Sequence, residues 1–113
     1  MNIYVKTYNE IAGFHRWPDA PEHLKFLSYP HRHIFHIITT FSVSHNDREI
    51  EIIETQNEIE DYVRSCYTDE ETGDINFESM SCEMLATHIL TEFGATKCEV
   101  LEDGKGGAIV VRE

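Results

Sequence analysis

A stretch of β-branched and aromatic residues at positions 31–45 is the feature that most restricts how this chain can fold. Its apolar side chains recur at alternate positions, which is the pattern of a strand with one apolar face. Those positions are Phe35, Ile37, Phe41 and Val43. His31 and His33 fall on the same face as these side chains, because neighbouring side chains of a strand point to opposite sides. We therefore expect a strand that is apolar along most of one face and carries two imidazoles at its start.

A second strand precedes this one in the sequence, at residues 3–14. Its β-branched residues fall on odd positions and alternate with Tyr4, Lys6 and Glu10, again with period two. His15 follows at the end of this strand. The connection, residues 16–30, contains all three prolines and is predicted to be a loop rather than a helix of any length. Structureless loops of this length are often functional.

Two helices are predicted after a turn at Asn46 and Asp47, with extended chain expected over residues 49–53. Residues 55–58 read Thr-Gln-Asn-Glu, a capping box that predicts the start of the first helix. Ser79 or Ser81 can cap the second helix, and Gly94 can end it. Residues 97–101 and 108–111 then read as two short strands.

The predicted order β-β-α-α-β-β defines an α+β fold, in which an antiparallel sheet carries both helices on one face. At 113 residues and 41% hydrophobic composition, the chain has room for a single domain, residues 1–113, with a modest core. Oligomerisation would help to stabilise a core of this size.

The charge balance limits the possible partners. The chain has 21 acidic and 9 basic residues, for a formal net charge of -12, so it repels phosphate backbones and anionic membranes. We expect no nucleic-acid partner and no membrane partner. The three cysteines are an odd number without Cys-x-x-Cys spacing, and no export signal is evident, which favours a reducing, cytoplasmic setting.

The histidine pattern suggests a metal site. A third imidazole, His15, comes from the end of the preceding strand and would join His31 and His33. Three neutral nitrogen donors are the set with which zinc keeps an open position for substrate or water. The alternative is that His31 and His33 are only a partly buried pair. Histidine is common in this chain, since four more occur at His23, His36, His45 and His88.

Four segments in register resemble a known family. Residues 11–17, Ile-Ala-Gly-Phe-His-Arg-Trp, look like its Phe-x-Ala-Ala-His-Arg-Leu, and residues 30–33, Pro-His-Arg-His, look like its His-Gly-His. Residues 81–86, Ser-Cys-Glu-Met-Leu-Ala, are similar to its Thr-x-Glu-x-Leu-Ala helix start, and residues 100–102, Val-Leu-Glu, to its Val-x-Glu-Thr. The family is that of 6-pyruvoyl-tetrahydropterin synthase and 6-carboxy-tetrahydropterin synthase, and the resemblance spans nearly the whole chain.

The resemblance implies a tunnelling fold, in which subunits close their sheets into a barrel, commonly as a trimer or as a hexamer of two stacked trimers. It implies that His15, His31 and His33 are zinc ligands and that Glu102 holds the pyrimidine edge of a pterin. An ionised carboxylate suits that role, because its two oxygens can accept from the ring N–H and the exocyclic amine. Arg32 and Cys82 are further candidates for ligand binding.

The departures from the family concern proton transfer. Leu27 stands where the family has a catalytic cysteine, four residues before its His-Gly-His motif, and leucine cannot move a proton. The family's Asp and His pair would fall within residues 67–77, which contain Asp69 and Asp74 but no histidine. The central glycine of His-Gly-His is Arg32 here.

Three functions remain open at this point. The first is a zinc-containing protein that binds a pterin-, deazapurine- or purine-like molecule in an intersubunit pocket, for sequestration or sensing, without the family's catalysis. The second is an active lyase acting on dihydroneopterin triphosphate, with His23 or Glu22 as a substitute base. The third is a metal-free structural or interaction domain.

Overall fold

The computed structural model describes residues 1–113 and has the predicted order of strands and helices. It is an α+β structure with one four-stranded sheet, two α-helices and a short 3₁₀ segment at Glu22–Ser28. The strands are β1 (Ile3–His15), β2 (His31–Val43), β3 (Lys97–Glu102) and β4 (Gly106–Val111), and the helices are α1 (Ile52–Tyr67) and α2 (Cys82–Phe93).

The sheet is antiparallel throughout, in the order β1-β2-β3-β4. The β1–β2 register runs from Ile3 opposite Val43 to His15 opposite His31. The last residue of β1 therefore faces the first residue of β2 across the ladder. On the other side of β2, Glu102 at the end of β3 is paired with Phe35. One end of the sheet thus collects chemically active residues from three strands.

Both α-helices cover the same face of the sheet. Sixteen buried residues form one cluster, to which β1 and β2 contribute odd-numbered side chains such as Ile11, Phe35 and Ile37. The helices contribute Ile59 and Val63 from α1 and Leu85, Ala86 and Ile89 from α2, together with other buried positions. The apolar alternation of the sequence predicts this face correctly.

Helix α1 begins four residues earlier than the capping box predicts. Its N-cap is Glu51, whose carboxylate accepts hydrogen bonds from the backbone N–H groups of Ile53 at 3.1 Å and Glu54 at 3.0 Å. The predictions of extended chain over residues 49–53 and of a helix start at residues 55–58 are therefore wrong. These backbone hydrogen bonds to the ionised form lower the pKa of Glu51.

Glu51→Gln should lower the stability of the protein at neutral pH, since the cap loses its charge and half of its acceptors. The folded-state pKa of Glu51 lies below its unfolded value, so its contribution is present above the unfolded pKa and is lost as pH falls through the folded pKa. Urea unfolding at pH 7 should separate the variant from wild type, and the gap should close in acid. Glu58→Gln, on the same helix, is the control and should match wild type; an equal loss there would contradict the assignment of the cap.

The sequence predicted a loop without helix between β1 and β2, but the structure has a short helical segment there. Residues Glu22–Ser28 form 3₁₀ turns, interrupted at Leu24, where φ is -121° and ψ is 24°. Pro21 stands immediately before this segment with extended backbone, so the prolines delimit the turns rather than preclude them. The strand assigned to residues 31–45 ends two residues earlier, at Val43.

The segment between the two α-helices returns to the end of β1. The backbone N–H of Phe14 donates to Ile75 O at 2.9 Å, and Phe77 N–H donates to Phe14 O at 2.7 Å. Arg16 N–H then donates to Glu78 O at 2.9 Å. These hydrogen bonds place the residues just before α2 next to His15.

The two ends of α2 agree with the sequence prediction. Ser81 is the N-cap, with its hydroxyl accepting from Met84 N–H at 3.1 Å, and Gly94 is the C-cap in the left-handed conformation at φ 63°. Neither α-helix nor the 3₁₀ segment has the length and apolar character needed to cross a bilayer.

Candidate metal centre

His15, His31 and His33 come together at the end of the sheet. The β1–β2 register sets His15 opposite His31, and His33 follows two residues along β2 on the same face. One nitrogen from each ring lies within 4.8 Å of the other two, so the cluster could hold a metal ion. His15 is buried, and the other two are partly buried. The sequence prediction that these three imidazoles meet is confirmed.

Each imidazole is oriented by a hydrogen bond at its Nδ1 atom. All three partners are acceptors only, so each Nδ1 carries a proton, and in the neutral ring each Nε2 presents a lone pair. This is the arrangement by which proteins fix metal-binding histidines. The pairs are His15 with Met80 O at 2.9 Å, His31 with Tyr29 O at 2.9 Å, and His33 with Asp103 Oδ2 at 2.7 Å.

The Nε2 atom of His15 is buried without a hydrogen-bond partner. Glu102 Oε2 lies 3.0 Å away, but the two atoms form no hydrogen bond, and in the neutral ring, whose Nδ1 donates to Met80, Nε2 carries no proton. Burial lowers the pKa of His15, and the charges of His31 and His33 act in the same direction, whereas Met80 and Glu102 oppose the shift. A neutral imidazole with an unused, buried lone pair is a suitable ligand for a cation.

The aromatic ring of Phe35 packs against the histidine cluster on its core side. Phe35 meets the rings of His15 and His33 edge-on, with centroid separations of 5.2 and 5.8 Å. It also packs edge-on against Phe77, with a centroid separation of 4.9 Å. Phe35 and Phe77 are each only 1% exposed, so the imidazoles of His15 and His33 contact the closely packed hydrophobic core.

Asp103 contacts the histidine cluster and was not predicted from the sequence. Its carboxylate accepts hydrogen bonds from Ile34 N–H at 2.9 Å and from His33. Both hydrogen bonds lower the pKa of Asp103, and the one from the Ile34 amide has the larger effect. Its only sequence signal is an acid next to Glu102 in a hairpin turn. The carbonyl groups of Met80 and Tyr29 have no sequence signal, because any residue type supplies a carbonyl.

A cavity of ≈ 560 Å³ opens beside the cluster. Glu102 lies in its wall, with a side chain about one-third exposed. The Cys82 thiol donates to Glu102 Oε2 at 3.6 Å, and burial together with that carboxylate raises the pKa of Cys82 to about 12. Other lining residues include His15, His31, Trp17, Leu27, Glu83 and Met84.

The remaining candidate residues lie elsewhere. Arg32 lies on the face of β2 opposite to the one that carries His31 and His33, and it does not line the cavity. His23 and Glu22 are exposed on the 3₁₀ segment and are also absent from the cavity wall.

No protein-family model and no curated protein matches this chain. The family resemblance therefore depends on the four motifs named above.

Proposed function

We propose that this protein is a zinc-containing member of the pterin synthase type that binds a pterin-, deazapurine- or purine-like ring without carrying out the family's lyase reaction. The observation that carries the proposal is the cluster of three oriented imidazoles, of which His15 and His31 line the same cavity as the Glu102 carboxylate.

The donor set favours zinc. Neutral imidazoles whose Nδ1 atoms are held by carbonyl or carboxylate groups are typical zinc ligands. When bound, zinc would polarise an oxygen of a ligand or hold the ligand in place. His15, His31 and His33 would hold the ion, and Phe35 beneath them would keep their rings in position.

The cavity suits a flat heteroaromatic ring. Its volume of ≈ 560 Å³ falls within the range of small-molecule sites. Glu102 offers two acceptor oxygens to an N–H edge, and Trp17, Leu27 and Met84 give apolar surface for the ring faces.

The replacement of the family's proton-transfer cysteine supports binding over catalysis. Leu27, at the position of the family's catalytic cysteine, lines the cavity beside His31. The one thiol in the wall, Cys82, has a pKa of about 12 and is protonated at neutral pH, so it is a poor base. His23 and Glu22 are outside the wall, which weighs against the lyase alternative.

The sheet favours assembly into an oligomer. Strands β1 and β4 are its edges, and the face away from the helices carries exposed apolar and aromatic side chains. These are Tyr4, Tyr8, Ile109 and Val111. Closure of several copies into a barrel, as a trimer or a hexamer, would pair both edges and place the cavity near a subunit boundary.

All three cysteines are free, which favours the reducing cytoplasm.

The test is mass spectrometry of small molecules released by denaturing protein purified without a His tag, together with metal analysis of the same sample. We expect stoichiometric zinc and a co-purifying heteroaromatic ring. Glu102→Gln should lose the ring, because an amide cannot present two acceptors to an N–H edge. Glu83→Gln changes another carboxyl group of the same wall and should retain it.

Two outcomes would overturn the proposal. Zinc far below stoichiometry would leave a metal-free domain. Turnover of dihydroneopterin triphosphate at high protein concentration would establish the lyase instead.

A further inference from the structure

The carboxylate of Glu102 lies closer to the histidine nitrogens than a ring anchor needs to be. Its Oε2 is 3.0 Å from Nε2 of His15, and its Oε1 is 3.6 Å from Nε2 of His33. In the neutral rings both nitrogens present lone pairs, because their Nδ1 atoms donate to Met80 and Asp103. A carboxylate oxygen facing a lone pair is repelled unless a proton or a metal cation lies between them.

The two separations place the carboxylate at about the distance expected of a neighbouring ligand. Ligand atoms at about 2.0–2.1 Å from zinc, arranged as a tetrahedron, lie about 3.3 Å from one another. The values of 3.0 Å for Oε2 and 3.6 Å for Oε1 lie on either side of that distance, and one of these two oxygens would bind the ion. An ordinary hydrogen bond does not explain the shorter contact, since Nε2 of His15 has no hydrogen-bond partner.

The surroundings of Glu102 hold its carboxylate toward the cluster. Its backbone ends β3 opposite Phe35, the residue that supports His15 and His33. The Cys82 thiol donates to Oε2, which is the kind of outer hydrogen bond that orients a ligating carboxylate.

We propose that Glu102 is the fourth metal ligand when the cavity holds no small molecule, so that three histidines and one carboxylate close the coordination of the ion. This inference depends on the metal site proposed above. A closed four-ligand zinc has no position for water or substrate, which is a reason for inactivity separate from the leucine at position 27. It also makes the ring and the ion compete for one carboxylate, so that each should weaken the binding of the other.

The experiment uses Co²⁺ in place of zinc, with visible absorption as the readout and azide as a probe for an open position. Ring-free protein is prepared by unfolding, dialysis and refolding before Co²⁺ is added. Wild type should bind Co²⁺ stoichiometrically with tetrahedral absorption that azide does not change. Glu102→Gln and Glu102→Ala should bind Co²⁺ at least about tenfold more weakly, and Glu102→Ala should respond to azide. Glu92→Gln, at an exposed position of α2 outside the cavity wall, should behave as wild type.

The outcomes separate this inference from the proposed function. If wild type binds Co²⁺ and the two Glu102 variants match it in affinity and spectrum, Glu102 is not a ligand, while the metal-containing binding protein stands. An azide response in wild type would also exclude Glu102 as the fourth ligand, because it reveals an open position. If wild type binds no Co²⁺, both proposals fail. Circular dichroism of Glu102→Ala, together with the intermediate variant Glu102→Gln, distinguishes loss of a ligand from loss of the fold.

Discussion

Replacement of His31 by alanine should lower the zinc affinity of the protein by more than about 100-fold. This loss exceeds the one usually caused by removing a residue that only orients a metal ligand through a hydrogen bond. His31 supplies one of the three oriented Nε2 atoms, and its own Nδ1 is bonded only to the carbonyl of Tyr29. It is less buried than His15, so the truncation should leave the fold intact. Competition for zinc with a chromophoric chelator measures the change.

The same variant should lose the stabilisation that zinc gives to the folded chain. A metal present at about 100 times its dissociation constant adds about 2.7 kcal/mol to the free energy of unfolding. Thermal unfolding with zinc and with chelator should therefore differ for wild type and coincide for His31→Ala. His23→Ala removes an exposed histidine outside the cavity and is the matched control. Wild-type zinc affinity in His31→Ala would disprove the ligand assignment.

The sequence predicts the part of the site that strand periodicity controls. Side chains two apart share a face of a strand, so His31 and His33 could be placed together in advance. Antiparallel pairing of consecutive strands brings the end of β1 to the start of β2, and His15 follows from that. The order of strands and helices and the apolar face of the sheet were predictable for the same reason.

The groups that orient the histidines were not predictable, because they depend on contacts distant in sequence. Met80 reaches His15 only because the segment before α2 hydrogen-bonds to the end of β1. Asp103 reaches His33 through the turn after β3, where it adopts φ 56°. The start of α1 was missed since Glu51 is not a common N-cap residue, and a nearby Thr-x-x-Glu pattern fitted the usual signal better.

Phe35→Ala should cause the largest loss of stability among these substitutions, about 3–5 kcal/mol. Phe35 is 1% exposed and packs against Phe77, so its removal leaves a cavity in the central cluster. Domains of this size have a free energy of unfolding of about 5–15 kcal/mol, so the loss is a large share of the total. Urea unfolding with chelator present measures it without a contribution from metal. Phe26→Ala, an exposed phenylalanine at 67%, should change the free energy of unfolding by less than about 0.5 kcal/mol.

The effect of Phe35→Ala on metal binding should exceed what its distance from the ligand atoms suggests. The edge of the ring supports His15 and His33, and without it both imidazoles gain freedom that zinc binding must then remove. Zinc affinity should therefore fall even under conditions where the variant is fully folded. Phe35→Leu keeps an apolar side chain at the position and should recover most of the stability but less of the affinity, because a branched aliphatic group does not present the same flat edge. Equal recovery of both would show that Phe35 only fills the core, whereas unequal recovery would show that it also positions the metal ligands.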